Sequence, residues 1–281
     1  MTDILHRWLV PYTEEIFGDY HCGFRKGQSA TDNLFMLWCI PEKFYELNVG
    51  LHFISIDFKQ AYDSINRTYL YESLREFGIP KKLVMLQDSD GKVKIQGQLT
   101  EVFGIERDLG HGDSLSTTRF SMLLEKVIGN IETNPYGTRM RQYIAYAGDV
   151  LILGRSVRAI EEVVIRITEA AVSSGLVINK YKTMYVTINR NTTNLEQDLI
   201  VDRQVFVGVQ NFRYLGTVIN SENLISDGIK SRCAAGIRCF YSRRQIFSSR
   251  AMSEAVKIKM YKMMVKPVYR SETLAVSEMD R

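Results

Sequence analysis

The chain has 281 residues, 45% of them hydrophobic, 24% charged and only five prolines, which suits one large domain or two to three lobes and excludes a chain disordered throughout. No apolar run is long enough to span a bilayer and no basic-then-apolar leader opens it, so an intracellular protein (nucleus or cytoplasm) with no membrane partner is expected. The net charge of +4 hides an asymmetry: residues 230–270 hold eleven Lys/Arg against one acid, Glu254, and the rest of the chain balances at −6.

Residues 1–19 read as a short helix with Leu5, Trp8, Leu9, Tyr12 and Ile16 on one face, and Pro11 is expected to interrupt it. It begins as if further sequence preceded it. Next, Gly23-Phe24-Arg25-Lys26-Gly27-Gln28-Ser29 sets two glycines around two cations, which makes either a phosphate-binding loop or a plain turn. Ser29 or Thr31 can cap a helix reaching Tyr45, where Pro41 should force a kink at about 3 kcal/mol.

The stretch Leu51–Ile65, LHFISIDFKQAYDSI, opens as a strand. Phe53, Ser55 and Asp57 share one face; His52, Ile54 and Ile56 share the other. Asp57 closes the strand, and Tyr62 and Asp63 lead into a helix. Asn66 caps the helix that follows, with Leu70, Leu74 and Phe77 on one side, and Gly78 and Pro80 end it. Residues 88–102 are polar and strand-prone, with a Ser89-Asp90-Gly91 turn. The Gly-rich loop 108–116 then feeds a helix with Phe120, Leu123, Leu124 and Val127 inward, where a helix N-terminus can meet an anion.

Gln142–Gly154, QYIAYAGDVLILG, reads as a hairpin around Ala147-Gly148-Asp149. Ile160, Val163, Val164, Ile167 and Ala171 recur at helical spacing up to Gly175. Lys180 and Lys182 separate the short apolar run 176–178 from a strand in which Met184, Val186 and Ile188 alternate. A polar connection fills 189–202. Residues 205–219 read as one further hairpin, containing Phe212-Arg213-Tyr214-Leu215-Gly216. The remainder is helical and basic; its stripe of Val256, Met260, Met263 and Met264 reads as core. The basic excess indicates a bound polyanion or a solvated helical surface. Cys22, Cys39, Cys233 and Cys239 show neither CxxC nor zinc spacing and read as reduced, partly buried thiols.

An acid at a strand end is, by itself, an ordinary way for a polar residue to leave a sheet. Two strands that each bring a carboxylate to one place are what two-metal phosphoryl transfer requires. In order, HCGFRKGQSATDNLF, IDFKQAYDSI, DLGHGDSLS, YAGD, GLVINKYKT and FRYLG resemble a reverse transcriptase of the non-LTR, LINE-like retrotransposon type over nearly the whole chain. Each motif is weak alone; six in this order are specific.

The resemblance implies an α+β, right-hand polymerase fold: fingers, a palm of antiparallel sheet backed by helices, and a helical thumb. It places partial fingers at 1–50, the palm at 51–220 with part of the fingers and a primer-grip-like hairpin at 205–219, and a partial basic helical thumb at 221–281. It implies Asp57 and Asp149 as catalytic carboxylates on Mg²⁺, and Lys182 as a proton donor to pyrophosphate. Tyr62 would exclude a 2′-hydroxyl, a matter of size, since a ring against C2′ leaves no room for another oxygen. Arg25 would touch the triphosphate, His111 and Gly112 the nucleotide and template base, and Phe212, Tyr214, Leu215 and Gly216 the primer end. The implied partners are an RNA template, a DNA primer and dNTP.

The sequence also departs from the family. The turn usually reads Tyr-Ala-Asp-Asp; here Gly148 replaces the acid expected to pair with Asp57. The loop before the helix carries Gly110 for arginine, His111 for glutamine, and Ser114 and Thr117 for prolines. The linker between Leu86 and Lys92 is short. No endonuclease domain accompanies the motifs, so a fragment is expected. Three readings follow: a polymerase weakened or silenced at Gly148, a non-catalytic nucleic-acid-binding module, and a remnant without a role.

Overall fold

A computed structural model describes residues 2–18, 20–23, 25, 30–85, 90–95, 98–104, 107, 109, 114–129, 143–146, 148–189, 197–215, 217–221, 225–249 and 251–266. The elements begin with α1 (Thr2–Ile16), α2 (Ala30–Glu46), β1 (Leu51–Ile56), α3 (Ala61–Ser64), α4 (Arg67–Glu76) and α5 (Lys81–Met85). Four two-residue strands follow: β2 (Asp90–Gly91), β3 (Lys94–Ile95), β4 (Gln98–Leu99) and β5 (Phe103–Gly104). Then come α6 (Ser114–Gly129), β6 (Tyr143–Tyr146), β7 (Asp149–Gly154), α7 (Val157–Ser174) and β8 (Met184–Ile188). The last are β9 (Leu199–Val201), β10 (Gln204–Gly208), β11 (Asn211–Tyr214), β12 (Thr217–Asn220), α8 (Ile225–Ser242), α9 (Arg244–Ser248) and α10 (Glu254–Met264).

The chain forms two compact units that interleave along the sequence. The first comprises residues 1–29, 52–185 and 198–208; the second comprises 30–51, 186–197 and 209–281. The main sheet has the order β6-β7-β1-β8-β10-β9. β6, β7 and β1 are antiparallel neighbours, whereas β10 runs parallel to β8. In the first unit, Ile54, Ile56, Val150, Ile152, Tyr185 and Phe206 pack with Phe120, Leu123, Leu124 and Val127 of α6 and Ile160, Val163, Val164 and Ile167 of α7. These inward helical positions are the ones the periodicity indicates, and their burial is the main force holding helices to sheet.

Local signals set several boundaries. Asn66 Oδ1 accepts from the Tyr69 amide at 3.2 Å and starts α4; Ser156 Oγ accepts from Ala159 at 3.3 Å and starts α7. Gly175 ends α7 at φ 82°, and a Cβ there would overlap the Ser64 carbonyl oxygen. Glycine is therefore required twice over, by backbone conformation and by the closeness of the α3 end.

Other expectations are corrected. α1 runs through Pro11 without interruption, and α2 runs through Pro41. Pro11 and Arg7 are both exposed, so water can satisfy the carbonyl that the ring leaves without a donor. In α2, Leu34, Leu37, Trp38 and Ile40 are buried on the turns that lead up to Pro41, which is itself buried, and packing holds the helix together there. Trp8 is exposed, unlike Leu5 and Leu9. Asp90–Gly91 is strand rather than turn, paired with Phe103–Gly104. The single hairpin expected over 205–219 is two: β9–β10, whose β9 also lies in the expected polar connection, and β11–β12. β10 leaves the local pattern because it pairs with β8. Val256, Met263 and Met264 are exposed, and α10 buries nothing, so the methionine stripe is not core.

Candidate active site

The register of β1 against β7 positions the two acids. His52 to Ile56 lie opposite Gly154 to Val150 in strict antiparallel order. One step further sets Asp57 opposite Asp149. Ile56 and Val150 both enter the core, so alternation directs the next pair to the other face of the sheet. β6 supports Asp149 from its other side through the Tyr146–Asp149 pair. The Asp149 carboxyl is raised above the usual carboxylate range, first by desolvation and second by the Asp57 charge. Two acids that feel each other across adjacent strand ends form a site that gains from a cation.

Asp57 is held at three points by residues 177–183. The Asn179 amide donates to the Asp57 carbonyl at 2.7 Å, and the Asp57 amide donates to Thr183 Oγ1 at 3.2 Å. Asn179 Nδ2 donates to Asp57 Oδ2 at 3.1 Å. The Lys59 amide extends the pairing to the Val177 carbonyl at 2.8 Å, and Phe58 bridges Ile178. Sequence reading singled out Lys182 in this segment and missed Asn179 and Thr183. The run INKYKT marks both only as polar residues around Lys180, Tyr181 and Lys182 and does not say which of them turns back to the strand. Lys182 itself is exposed, its amide bonded to the Asn179 carbonyl at 3.0 Å.

Tyr62 lies stacked on Phe120, ring centroids 4.8 Å apart and 24° between planes. Burial raises its hydroxyl pKa, against a smaller lowering by a hydrogen bond with Thr117. Phe120 also lines Gly148: a Cβ at 148 would stand 3.4 Å from Phe120 Cε1. Gly148 has no positive φ, so neither backbone nor space demands glycine there. Turn geometry is therefore not what requires the glycine.

Arg25 does not stand free for a triphosphate. Its guanidinium pairs with Glu14 at 3.2 Å and donates to the carbonyls of Phe17, Gly18 and His21 at 3.3, 3.1 and 3.4 Å. His111 and Gly112 lie outside the described residues, as does Gly216. The Leu109 amide donates to the Tyr62 carbonyl at 3.2 Å, and the Ser116 hydroxyl donates to the Leu109 carbonyl. In the second unit, Phe212 and Tyr214 are buried in the β11–β12 hairpin and Leu215 takes a left-handed φ of 47° at its turn.

Carboxylate oxygens suit a hard divalent cation, and Asp57 with Asp149 supplies the donor type. Among the described residues no third acidic, histidine or cysteine side chain completes a cluster with them. Two carboxylates are a donor set that fits a divalent ion. Among the described residues no helix is long and apolar enough to cross a membrane.

A mixed sheet backed by helices is the architecture of a right-hand polymerase fold. The chain belongs to the reverse transcriptase (RNA-dependent DNA polymerase) family, whose model matches residues 1–219. Such domains generally use divalent metal ions. Solved telomerase structures share the fold. The chain is 14% identical to apo telomerase from Candida tropicalis truncated from the C-terminal domain, at TM-score 0.57, covering 79% of this chain and 44% of that one. Against telomerase from Candida tropicalis in complex with a TWJ fragment of telomeric RNA, the values are 13%, 0.58, 95% and 46%. Against the Candida albicans complex with that RNA fragment they are 14%, 0.56, 79% and 38%. The chain thus spans less than half the length of each. No curated protein matches the sequence.

Proposed function

We propose that the chain is the reverse transcriptase domain of a non-LTR, LINE-like element, and that Gly148 impairs its reaction. That reaction is template-directed transfer of a nucleotide from a dNTP to a primer 3′-hydroxyl on RNA. The oxygen–phosphorus bond forms at the α-phosphate as the bond to pyrophosphate breaks. The reading is carried by the register that sets Asp57 opposite Asp149. The six ordered motifs support the LINE-like subtype, and the telomerase complexes with telomeric RNA support RNA as a partner.

Within this reading, Asp57 and Asp149 would hold Mg²⁺, which supplies positive charge to the attacking and leaving oxygens. Asn179 and Thr183 fix Asp57. Tyr62, locked on Phe120, stands for the ring under the incoming sugar. Lys182 reaches solvent beside Asp57's clamp, where an ammonium can give a proton to departing pyrophosphate. Arg25 would reach a triphosphate only by leaving Glu14 and three carbonyls. The β11–β12 hairpin with Phe212, Tyr214, Leu215 and Gly216 would hold the primer end, and the basic C-terminal helices would lie on the RNA–DNA hybrid, recognised by shape and backbone.

Primer extension on an RNA template with Mg²⁺ tests this. The chain should extend at most weakly, Gly148→Asp should extend, and adding Asp57→Asn should abolish the gain. Full extension by the unmodified chain would refute impairment. The glycine also favours a second reading, a non-catalytic nucleic-acid-binding module. Silence in every variant, with hybrid binding that falls steeply with salt, would select it.

A further inference from the structure

Among the described residues, Tyr181 is the most exposed of the large hydrophobic side chains, at 79%. An exposed aromatic at a loop tip loses the burial that normally justifies its size. Its neighbours are informative. Lys180 Nζ lies 5.0 Å from the ring centroid, and Lys182, the next residue, is exposed as well. The loop is also rigid where it matters. The Tyr181 amide donates to Asn179 Oδ1 at 3.3 Å, and Asn179 is the residue whose Nδ2 holds Asp57. The amides of Lys182 and Thr183 both return to the Asn179 carbonyl, at 3.0 and 2.9 Å. One asparagine therefore holds the Asp57 carboxylate with its amide nitrogen and the Tyr181 backbone amide with its amide oxygen.

We propose that Lys180, Tyr181 and Lys182 form a nucleotide platform, on which an unpaired base stacks against Tyr181 while its phosphates meet the lysines. The ring offers a π-face of the kind every base can use, whatever its sequence. An ammonium on a ring and a base on the ring are compatible, because the cation draws on the quadrupole while stacking draws on area. Lys180 and Lys182 on either side of Tyr181 give residues 180–182 the positive charge that a phosphate needs. The two sources of this chemistry are a free dNTP and the end of a single strand. The inference rests on the polymerase reading for its biological sense but not for its measurement.

The test replaces Tyr181 with tryptophan as a fluorescent base sensor, read against the unmodified chain, whose Trp8 and Trp38 give the background. Titrations in EDTA use dNTP alone and a single-stranded oligodeoxynucleotide of about eight residues, within the usual site size. Saturable quenching specific to Tyr181→Trp is expected; quenching by dNTP assigns the free nucleotide, and quenching by the oligonucleotide alone assigns a strand end. Tyr181→Ala should weaken that ligand by about 10-fold or more and Tyr181→Phe should restore it. If the ligand is a strand, Lys182→Ala should reduce the slope of log affinity against log salt by about 0.7. Absence of quenching by both ligands, or unchanged affinity in Tyr181→Ala, overturns the platform. Since no divalent ion is present, loss of polymerase activity in every variant would leave this result standing, and an active polymerase with unchanged Tyr181→Ala binding would remove the platform alone.

Discussion

Asn179 Nδ2 donates to Asp57 Oδ2 at 3.1 Å across 122 positions of sequence. The bond turns one carboxylate oxygen toward the loop and leaves the other for a ligand. It also fixes the side chain before any cation arrives, which is where rotational freedom would otherwise weaken binding.

Asn179→Ala should therefore act on ion binding more than on folding. Hydrogen-bonded partners of ligating carboxylates typically govern about 10–100-fold in metal affinity or activity. Mn²⁺ binding followed by electron paramagnetic resonance, in the Gly148→Asp background, should weaken within that range. Asn179→Asp should weaken it further if the amide's donor role matters, because the replacement offers no donor and adds a like charge. Equal affinity in all three proteins would show that Asp57 is held by its backbone bonds alone.

Asp149 carries a measurable pH signature. Its pKa is raised in the folded chain, so folding is favoured while it is protonated and loses that contribution as pH rises from the unfolded value through the raised one. Asp149→Asn should accordingly raise the thermal midpoint at pH 7, and the gain should close as pH falls below the ordinary carboxylate range. A divalent ion should reverse the order by stabilising only the unmodified chain. Gly148→Asp, which meets Phe120 at 3.4 Å without backbone strain, should fold but show a steeper loss at neutral pH without the ion.

What sequence reading captured here was local or repetitive. Asn66 and Gly175 sit at helix ends whose hydrogen bonds close within four residues, and the inward positions of α6 and α7 recur every turn. The places of Asp57, just after β1, and Asp149, opening β7, were legible because each adjoins an apolar run. The failures were long-range. Pro11 and Pro41 look like breaks until solvent exposure in one case and packing in the other are known. β10 looked like half of a hairpin with β11 because its parallel partner, β8, lies twenty residues earlier. Asn179 was hidden because nothing in INKYKT says which polar residue turns back to the strand.

Arg25 illustrates the same limit, and its role is open to a direct comparison. Its guanidinium gathers one carboxylate and three carbonyls while keeping only 9% side-chain exposure. Removing it would strand those acceptors and the charge on Glu14. Hydrogen bonds to charged groups contribute about 1.5–3 kcal/mol each, with overlap among bonds to one group. Arg25→Ala should therefore lower stability by about 2–3 kcal/mol in urea denaturation. If Arg25 instead serves the triphosphate, dNTP affinity should fall while the urea midpoint stays unchanged.

Glu125 gives the strongest stability prediction. On α6 it is buried, and its Oε1 accepts from the Tyr20 hydroxyl at 2.6 Å and the Gly18 amide at 3.1 Å. The carboxylate thus ties the segment after α1 to α6. Its pKa is raised by burial, against smaller lowering by Tyr20, Gly18 and Arg25. Stability should fall as pH rises from the ordinary carboxylate value through the raised one. Glu125→Gln keeps an oxygen for both donors and removes the ionisation, so the pH dependence in that window should disappear while stability at neutral pH is retained. Glu125→Ala leaves a buried hydroxyl and a backbone amide without their acceptor, at about 1–3 kcal/mol for each unsatisfied group. Denaturant melts of the three proteins from pH 4 to 8 separate these effects. A flat profile in the unmodified chain would mean that Glu125 stays in one protonation state throughout, and that Tyr20 and Gly18 bind it for geometry alone.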